Sequence, residues 1–104
     1  MDISVRVDKA FSSTVLAVVG EVDFSTVEQV LSLMDKHRLD NVVLDWSGIS
    51  FIDSTGIGLI LRAIMEIRDA GGQITIVSIP TPIEQVLEEM GVMDIICEFM
   101  KENV

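Results

Sequence analysis

The chain has 104 residues, enough for one domain but not for two separate hydrophobic cores. Seventeen acidic residues against seven basic ones give a formal charge of −10, yet 49% of residues are hydrophobic and the mean hydropathy is +0.50. A chain this apolar is not an acidic disordered tail, and one this acidic is poorly suited to nucleic acid or to an anionic membrane surface.

The single cysteine, Cys97, excludes an intramolecular disulfide and points to a reducing compartment. The start, Met1 to Arg6, shows no basic leader followed by an apolar stretch. The most apolar helical run, Ile57 to Leu61, is cut by Arg62, well short of the roughly 20 apolar residues of a spanning helix. The expectation is one cytoplasmic domain over residues 1–104 with no membrane insertion.

Ile3, Val5 and Val7 alternate with polar residues, the period of a half-buried strand. A turn is expected between Asp8-Lys9 and Ser12-Ser13. Thr14 to Val19 is a β-branched run ending at Gly20 and predicts a more buried strand, paired with the first as a hairpin. Ser25-Thr26-Val27-Glu28 has the spacing of a capping box. Val27, Val30, Leu31 and Met34 then follow at helical spacing, with His37-Arg38 at the negative end of that helix.

Asn41 to Leu44 predicts a short buried strand that stops at Asp45, followed by a loop from Trp46 to Asp53. A second helix should start at Ser54 or Thr55, bury Ile57, Ile60, Leu61, Ile64 and Ile67, and stop at Gly71-Gly72. Ile74 to Val77 reads as another buried strand. Thr81-Pro82-Ile83-Glu84 combines a Thr cap, Pro at the first helical position and Glu three after the cap. Ile83, Val86, Leu87 and Met90 form that helix's apolar face, and Gly91 closes it. Val92 to Met100 is ambiguous between a helical turn and a strand.

The order is β-β-α-β-α-β-α. Strand–helix–strand alternation implies parallel pairing through right-handed crossovers, hence an α/β domain with one mixed sheet of about four strands. In such sheets function gathers at the carboxyl ends of the parallel strands. Glu21, Asp23, Asp45 and Asp53 are expected at that edge, with the hydroxyls of Ser54 and Thr55. Turn and capping roles account for Asp23 and Asp53 taken singly. They do not account for Asp53-Ser54-Thr55-Gly56-Ile57-Gly58, where two hydroxyls follow an acid and two glycines occupy a first helical turn. Each interior glycine costs about 0.8–1.0 kcal/mol relative to alanine. The return is close approach, of backbone to backbone or of an outside surface to Ser54. A helix N-terminus can also tolerate a phosphate on one of its first residues.

Gly20-Glu21-Val22-Asp23, Val42-Val43-Leu44-Asp45-Trp46-Ser47 and Phe51-Ile52-Asp53-Ser54-Thr55-Gly56-Ile57-Gly58 together resemble the bacterial anti-sigma factor antagonists of the STAS domain family. The resemblance spans nearly the whole chain, and Asp-Ser-Thr-Gly-Ile-Gly is its specific part. It implies a STAS fold and a regulatory rather than enzymatic role, with no cofactor and no metal. The implied partner is an anti-sigma factor serine kinase of the GHKL type. By match, Ser54 is the phosphorylated residue, Thr55 the alternative acceptor, and Asp23 the family's acidic residue nearby. Unphosphorylated antagonist binds the kinase and frees the sigma factor; a metal-dependent serine phosphatase acting on phospho-Ser54 resets the switch. The implied partner-binding set is Glu21, Asp23, Trp46, Asp53, Ser54, Thr55, Gly56, Ile57 and Gly58. Two departures stand out: Trp46 replaces an aliphatic residue, and Thr55 replaces a second serine found in many members.

Other readings compete. A constitutive STAS scaffold, or a STAS subunit of a transport assembly, keeps the fold and changes the role. A phosphotransfer receiver would use Asp45 as acceptor with Glu21 and Asp23 as metal ligands, but the late lysine such a site needs is missing. His37, the only histidine, falls at the wrong end of its helix for a Ser-His-Asp arrangement with Ser54. With one histidine and one cysteine, a zinc site is not expected. Cys97 lies in an apolar stretch and is expected in the core. Met34, Met65, Met90 and Met93 fall at or near apolar helical positions, either as core or as the border of a binding surface. Trp46 reads equally as sheet packing and as an interface anchor.

Overall fold

The alternating apolar residues at the start of the chain form β1 (Ile3–Ala10), which turns at Phe11-Ser12 into β2 (Ser13–Val22). A computed structural model describes residues 3–100; the remaining residues of the domain predicted over 1–104 lie outside it. The helix α1 (Val27–Lys36) carries the chain across to β3 (Asn41–Ile52), and α2 (Ser54–Asp69) carries it on to β4 (Gln73–Val77). Two further helices follow, α3 (Thr81–Glu89) and α4 (Met93–Met100). The sheet order is β1-β2-β3-β4, with β1 antiparallel to β2 and the other pairs parallel. The predicted mixed four-stranded α/β sheet is therefore present, and the ambiguous stretch before Met100 is a helix that buries Ile96 and Phe99.

The strand periodicity sets which face is covered. Leu16 and Val18 on β2, Val42, Leu44 and Trp46 on β3, and Ile74 and Ile76 on β4 are buried in one core. That core also takes Val27, Val30 and Met34 from α1, and Ile57, Ile60, Leu61, Ile64 and Ile67 from α2. The alternate residues Val15, Val43, Asp45, Thr75 and Val77 are only half-buried. Met34 is a core residue, and Met65, Met90 and Met93 are partly buried against the core.

Four local expectations are corrected. First, β3 does not stop at Leu44 but runs 12 residues to Ile52. Its register against β2 slips twice: Ala17 pairs with Asp45 but Val19 with Gly48, and Gly20 pairs with Ile49 but Glu21 with Phe51. Each slip inserts one extra residue into β3, as a β-bulge does. The buried positions Leu44, Trp46, Ile49 and Ile52 therefore lose the period of two, which is why the segment reads as a loop. β2 likewise runs past Gly20 to Val22. Second, the carboxylate of Asp23, not the Ser25 hydroxyl, gathers the free groups ahead of α1. Third, Pro80 rather than Thr81 occupies the cap position of α3, with no side-chain cap bond. Fourth, Cys97 is exposed. Helical periodicity turns Ile96 and Phe99 inward and leaves Cys97 on the outer side of α4.

Asp40, just before β3, ties the hairpin to the end of α1. Its Oδ2 accepts hydrogen bonds from the Lys9 ammonium at 2.8 Å and the Thr14 hydroxyl at 2.8 Å, and lies 3.1 Å from His37 Nδ1. His37 is thus half-buried in a structural contact. These bonds, Lys9 first, lower the Asp40 pKa from 3.8 to about 2. A depressed carboxylate pKa stabilises the fold above the unfolded value and ceases to do so as pH falls through the folded one. Asp40→Asn should therefore lower the urea midpoint at neutral pH. The gap to wild type should narrow as pH falls from 3.8 and close near about 2, followed by circular dichroism.

Candidate functional site

The carboxyl ends of β2 and β3 and the first turn of α2 are joined by one backbone contact. The Asp53 N–H donates to the Val22 carbonyl at 3.1 Å. Asp53 itself is extended, with φ −111° and ψ 173°, and caps α2: its Oδ1 accepts the Gly56 N–H at 2.7 Å. Gly56 is buried against the end of β2. A Cβ there would come within 3.0 Å of both the Val22 carbonyl oxygen and Val22 Cγ1, and 3.2 Å of Asp53 Oδ1. Gly58, one position further round, would meet nothing within 4 Å. The two glycines thus have different reasons: one permits internal packing, the other leaves the outer surface of the turn low.

Ser54 is the first residue of α2 and is exposed, as are Thr55 and Gly58. Gly56 and Ile57, expected at a partner surface, are buried. Asp23 is also buried, at 8% exposure. Its Oδ1 accepts from the Ser25 N–H at 2.9 Å, the Ser25 hydroxyl at 2.8 Å and the Thr26 N–H at 3.2 Å. These donors, the Ser25 hydroxyl foremost, hold its pKa below the usual carboxylate value, against the opposing effect of burial. The Thr26 hydroxyl donates to the Glu21 carbonyl at 2.6 Å and receives the Asp23 N–H at 2.9 Å, closing the turn between β2 and α1. Glu21 is half-buried, and its Oε1 has no hydrogen-bond partner among the described residues.

Two expected members do not join this group. Trp46 is fully buried in the core, which removes it as an interface anchor; its Nε1 lacks a partner among the described residues. Asp45 is not at the end of its strand. It pairs with Ala17, whereas Ile52 pairs with Val22, five residues further along β2. At about 3.3 Å per residue, roughly 16 Å of sheet separates it from the start of α2. Its carboxylate accepts the Ser47 N–H at 2.9 Å instead. A receiver site built from Asp45, Glu21 and Asp23 does not assemble.

Two residues here went unremarked in the sequence. Phe24 is 78% exposed and Phe51 is 44% exposed. Phe24 lies two residues past Val22 and Phe51 two before Asp53, so both flank the Asp53–Val22 hydrogen bond. The available signal was a phenylalanine between Asp23 and Ser25, and another after Ser50.

The STAS domain model matches residues 2–104. The chain belongs to the STAS domain family. It is 24% identical over 99 residues to an anti-sigma F factor antagonist of Paenibacillus polymyxa, covering 91% of this chain and 85% of that one. It is 25% identical over 100 residues to an anti-sigma-B factor antagonist of Listeria monocytogenes, covering 92% and 88%. The fold matches the unphosphorylated form of the anti-sigma factor antagonist SpoIIAA with a TM-score of 0.70 at 19% identity, over 97% of this chain and 89% of that one. The phosphorylated form of SpoIIAA, a Bacillus cell fate determinant, matches at a TM-score of 0.67 and 19% identity, over 97% and 92%. No helix among the described residues of this STAS domain is long and apolar enough to cross a membrane.

The two glycines should separate in a stability measurement. Gly56→Ala forces its methyl against the Val22 carbonyl and should destabilise by about 1–3 kcal/mol, as overpacking does. Gly58→Ala meets open space and should stabilise by about 0.8–1.0 kcal/mol through helix propensity alone. Urea unfolding of both variants reads the opposite signs.

Proposed function

We propose that this STAS domain is an anti-sigma factor antagonist. Its unphosphorylated form binds an anti-sigma factor serine kinase of the GHKL type through the start of α2, and phosphorylation of Ser54 ends that contact. The observation that carries the reading is the exposed Ser54 hydroxyl at the first position of α2, beside the capping carboxylate of Asp53. The antagonist names of the relatives and the existence of SpoIIAA in phosphorylated and unphosphorylated forms support it. Thr55, also exposed, is the secondary acceptor. A serine phosphatase acting on phospho-Ser54 restores binding, and the cycle belongs to the cytoplasm.

Electrostatics gives the switch its size. A phosphate adds about −1.5 to −2 charges at neutral pH. No Lys or Arg occurs from Ala10 to Asp35 or from Leu39 to Leu61, so neither stretch supplies a cation to neutralise it. The N-terminus of α2 compensates by about 0.3–1 kcal/mol, enough for the free domain to keep its fold. A partner surface laid on Ser54 has no such compensation, and like charges brought together at an interface cost several kcal/mol. Each ~1.4 kcal/mol is tenfold in affinity.

The test is to incubate the purified chain with ATP and each GHKL-type serine kinase encoded in the same genome. Phosphosite mapping should place phosphate on Ser54. Ser54→Asp should bind that kinase at least tenfold more weakly than wild type, and Ser54→Ala should bind without being released by ATP. No modification by any of these kinases would favour a constitutive scaffold or a transport-associated role. Acid-labile phosphate on Asp45 would revive the receiver.

A further inference from the structure

The sheet order leaves β1 as an edge strand, with β2 on one side and no strand on the other. The opposite edge strand, β4, is only five residues long and packs against α4. β1 is eight residues long, and its register against β2 runs unbroken from Ile3 to Ala10. Such an edge is a template for another strand, and proteins commonly block it with Pro, a bulge or an outward charge. β1 has no Pro and no bulge. The Lys9 ammonium is drawn across β2 to Asp40, at 2.8 Å, where the Thr14 hydroxyl also bonds. Arg6 Nε is matched along the strand by Asp8 Oδ2 at 2.7 Å, and Val7 between them is 37% exposed.

The hairpin determines which backbone groups of β1 are free. Ala10 pairs with Ser13 across the two-residue loop Phe11-Ser12, so that pair exchanges hydrogen bonds. Alternation then turns the N–H and C=O of Arg6 and Asp8 toward β2, and those of Val5, Val7 and Lys9 toward the open edge. A second β1 running antiparallel, about a two-fold axis at Val7, meets all of these groups. Val7 then pairs with Val7 of the second copy, and Val5 with its Lys9. Arg6 falls opposite Asp8 of the second copy in a pair without mutual hydrogen bonds, where side chains approach most closely. The same Arg–Asp pair repeats on the other side of the axis. A two-fold at Val5 would instead set Arg6 against Ser4 and shorten the paired stretch.

The helix layer agrees with this register. α1 packs over β1 and β2, with α2 on its far side. Helical phase puts Leu31 and Asp35 on the flank of α1 that lines the groove toward α2, and the partly buried Leu33 on the opposite flank, toward the open edge. With strands ~4.8 Å apart, the two-fold sets α1 and its copy about 10 Å apart, the spacing of packed helices. Arg6 and Lys9 are also the only bases in the four strands, against one acid in β1, Asp8. This edge therefore lacks the acidic excess that a chain of charge −10 carries elsewhere.

We propose that this chain forms a symmetric dimer through β1, joining two four-stranded sheets into one. The second copy covers Val7 and Leu33 and satisfies the open backbone groups. The contact uses no residue of the α2 start and does not rest on the proposed Ser54 switch.

Sedimentation equilibrium of the full chain, from micromolar to millimolar protein, should show the mass rising from 11.4 kDa toward twice that value. Arg6→Asp alone and Asp8→Arg alone each set like charges opposite one another twice, and each should weaken self-association at least about tenfold. An equimolar mixture of these two variants re-creates both Arg–Asp pairs and should restore association, as should the double exchange in one chain. Val7→Pro removes an N–H that faces only the open edge and should abolish the dimer. Urea unfolding at concentrations where wild type is monomeric checks that each variant folds. A wild type that stays monomeric at millimolar concentration would overturn the dimer. A dimer left intact by both single exchanges, or a mixture that associates no better than either variant alone, would overturn its placement on β1.

Discussion

The hydrogen bond from the Asp53 N–H to the Val22 carbonyl fixes the geometry on which the rest of this molecule depends. It holds the last residue of β2 against the residue that caps α2. Gly56 then closes the gap, since any larger residue would strike the same carbonyl. The consequence is directional. Because β2 and β3 are parallel and end together, the loop entering α1 and the first turn of α2 come out on one edge. Ser54 is placed at the surface by a contact made entirely underneath it.

The long, bulged β3 is what makes this possible. Its two extra residues let a twelve-residue strand keep pace with ten residues of β2. Each bulge re-aims the side chains that follow. Trp46 stays with Leu44 in the core, while Ile49 and Ile52 return to it after the slips. Phe51, between them, is left outside. The same irregularity therefore completes the core beneath the edge and leaves Phe51 exposed.

This explains which features were legible in the sequence. Regular periods were readable: the i, i+3, i+4 stripes of α1, α2 and α3, the alternation of β1, and the parallel order they impose. Asp53 was readable as a turn or capping residue, and Gly56 and Gly58 together as close-approach residues, but only the structure separates the packed Gly56 from the open Gly58. The end of β3 was not readable, since its pattern of burial follows neither period two nor period 3.6. Two consequences descend from that one. The sequence puts Asp45 at a strand end that lies about 16 Å away, by the rise of a strand, and it leaves Trp46 open between sheet packing and an interface anchor, which the burial of its ring decides for packing. Asp23 and Ser25 exchanged roles for a different reason. Either side chain can gather the free N–H groups of that turn, and the choice depends on how closely the backbone approaches the carboxylate. Cys97 followed its apolar neighbours in the sequence, although helical phase alone separates it from Ile96 and Phe99.

The placement of the acids also bears on how a switch can act here without unfolding the domain. Asp23 is committed to Ser25 and Thr26, and Asp53 to Gly56. Both carboxylates are engaged by donors within three residues in the chain, so neither depends on Ser54 for its hydrogen bonds. A phosphate on Ser54 would add charge to the edge without removing a bond that holds it together. Its effect would fall on whatever rests against the edge. Stability and control are in this way assigned to different atoms of the same short segment. The N–H of Asp53 and the missing Cβ of Gly56 hold the fold, and the hydroxyl of Ser54 is free to change.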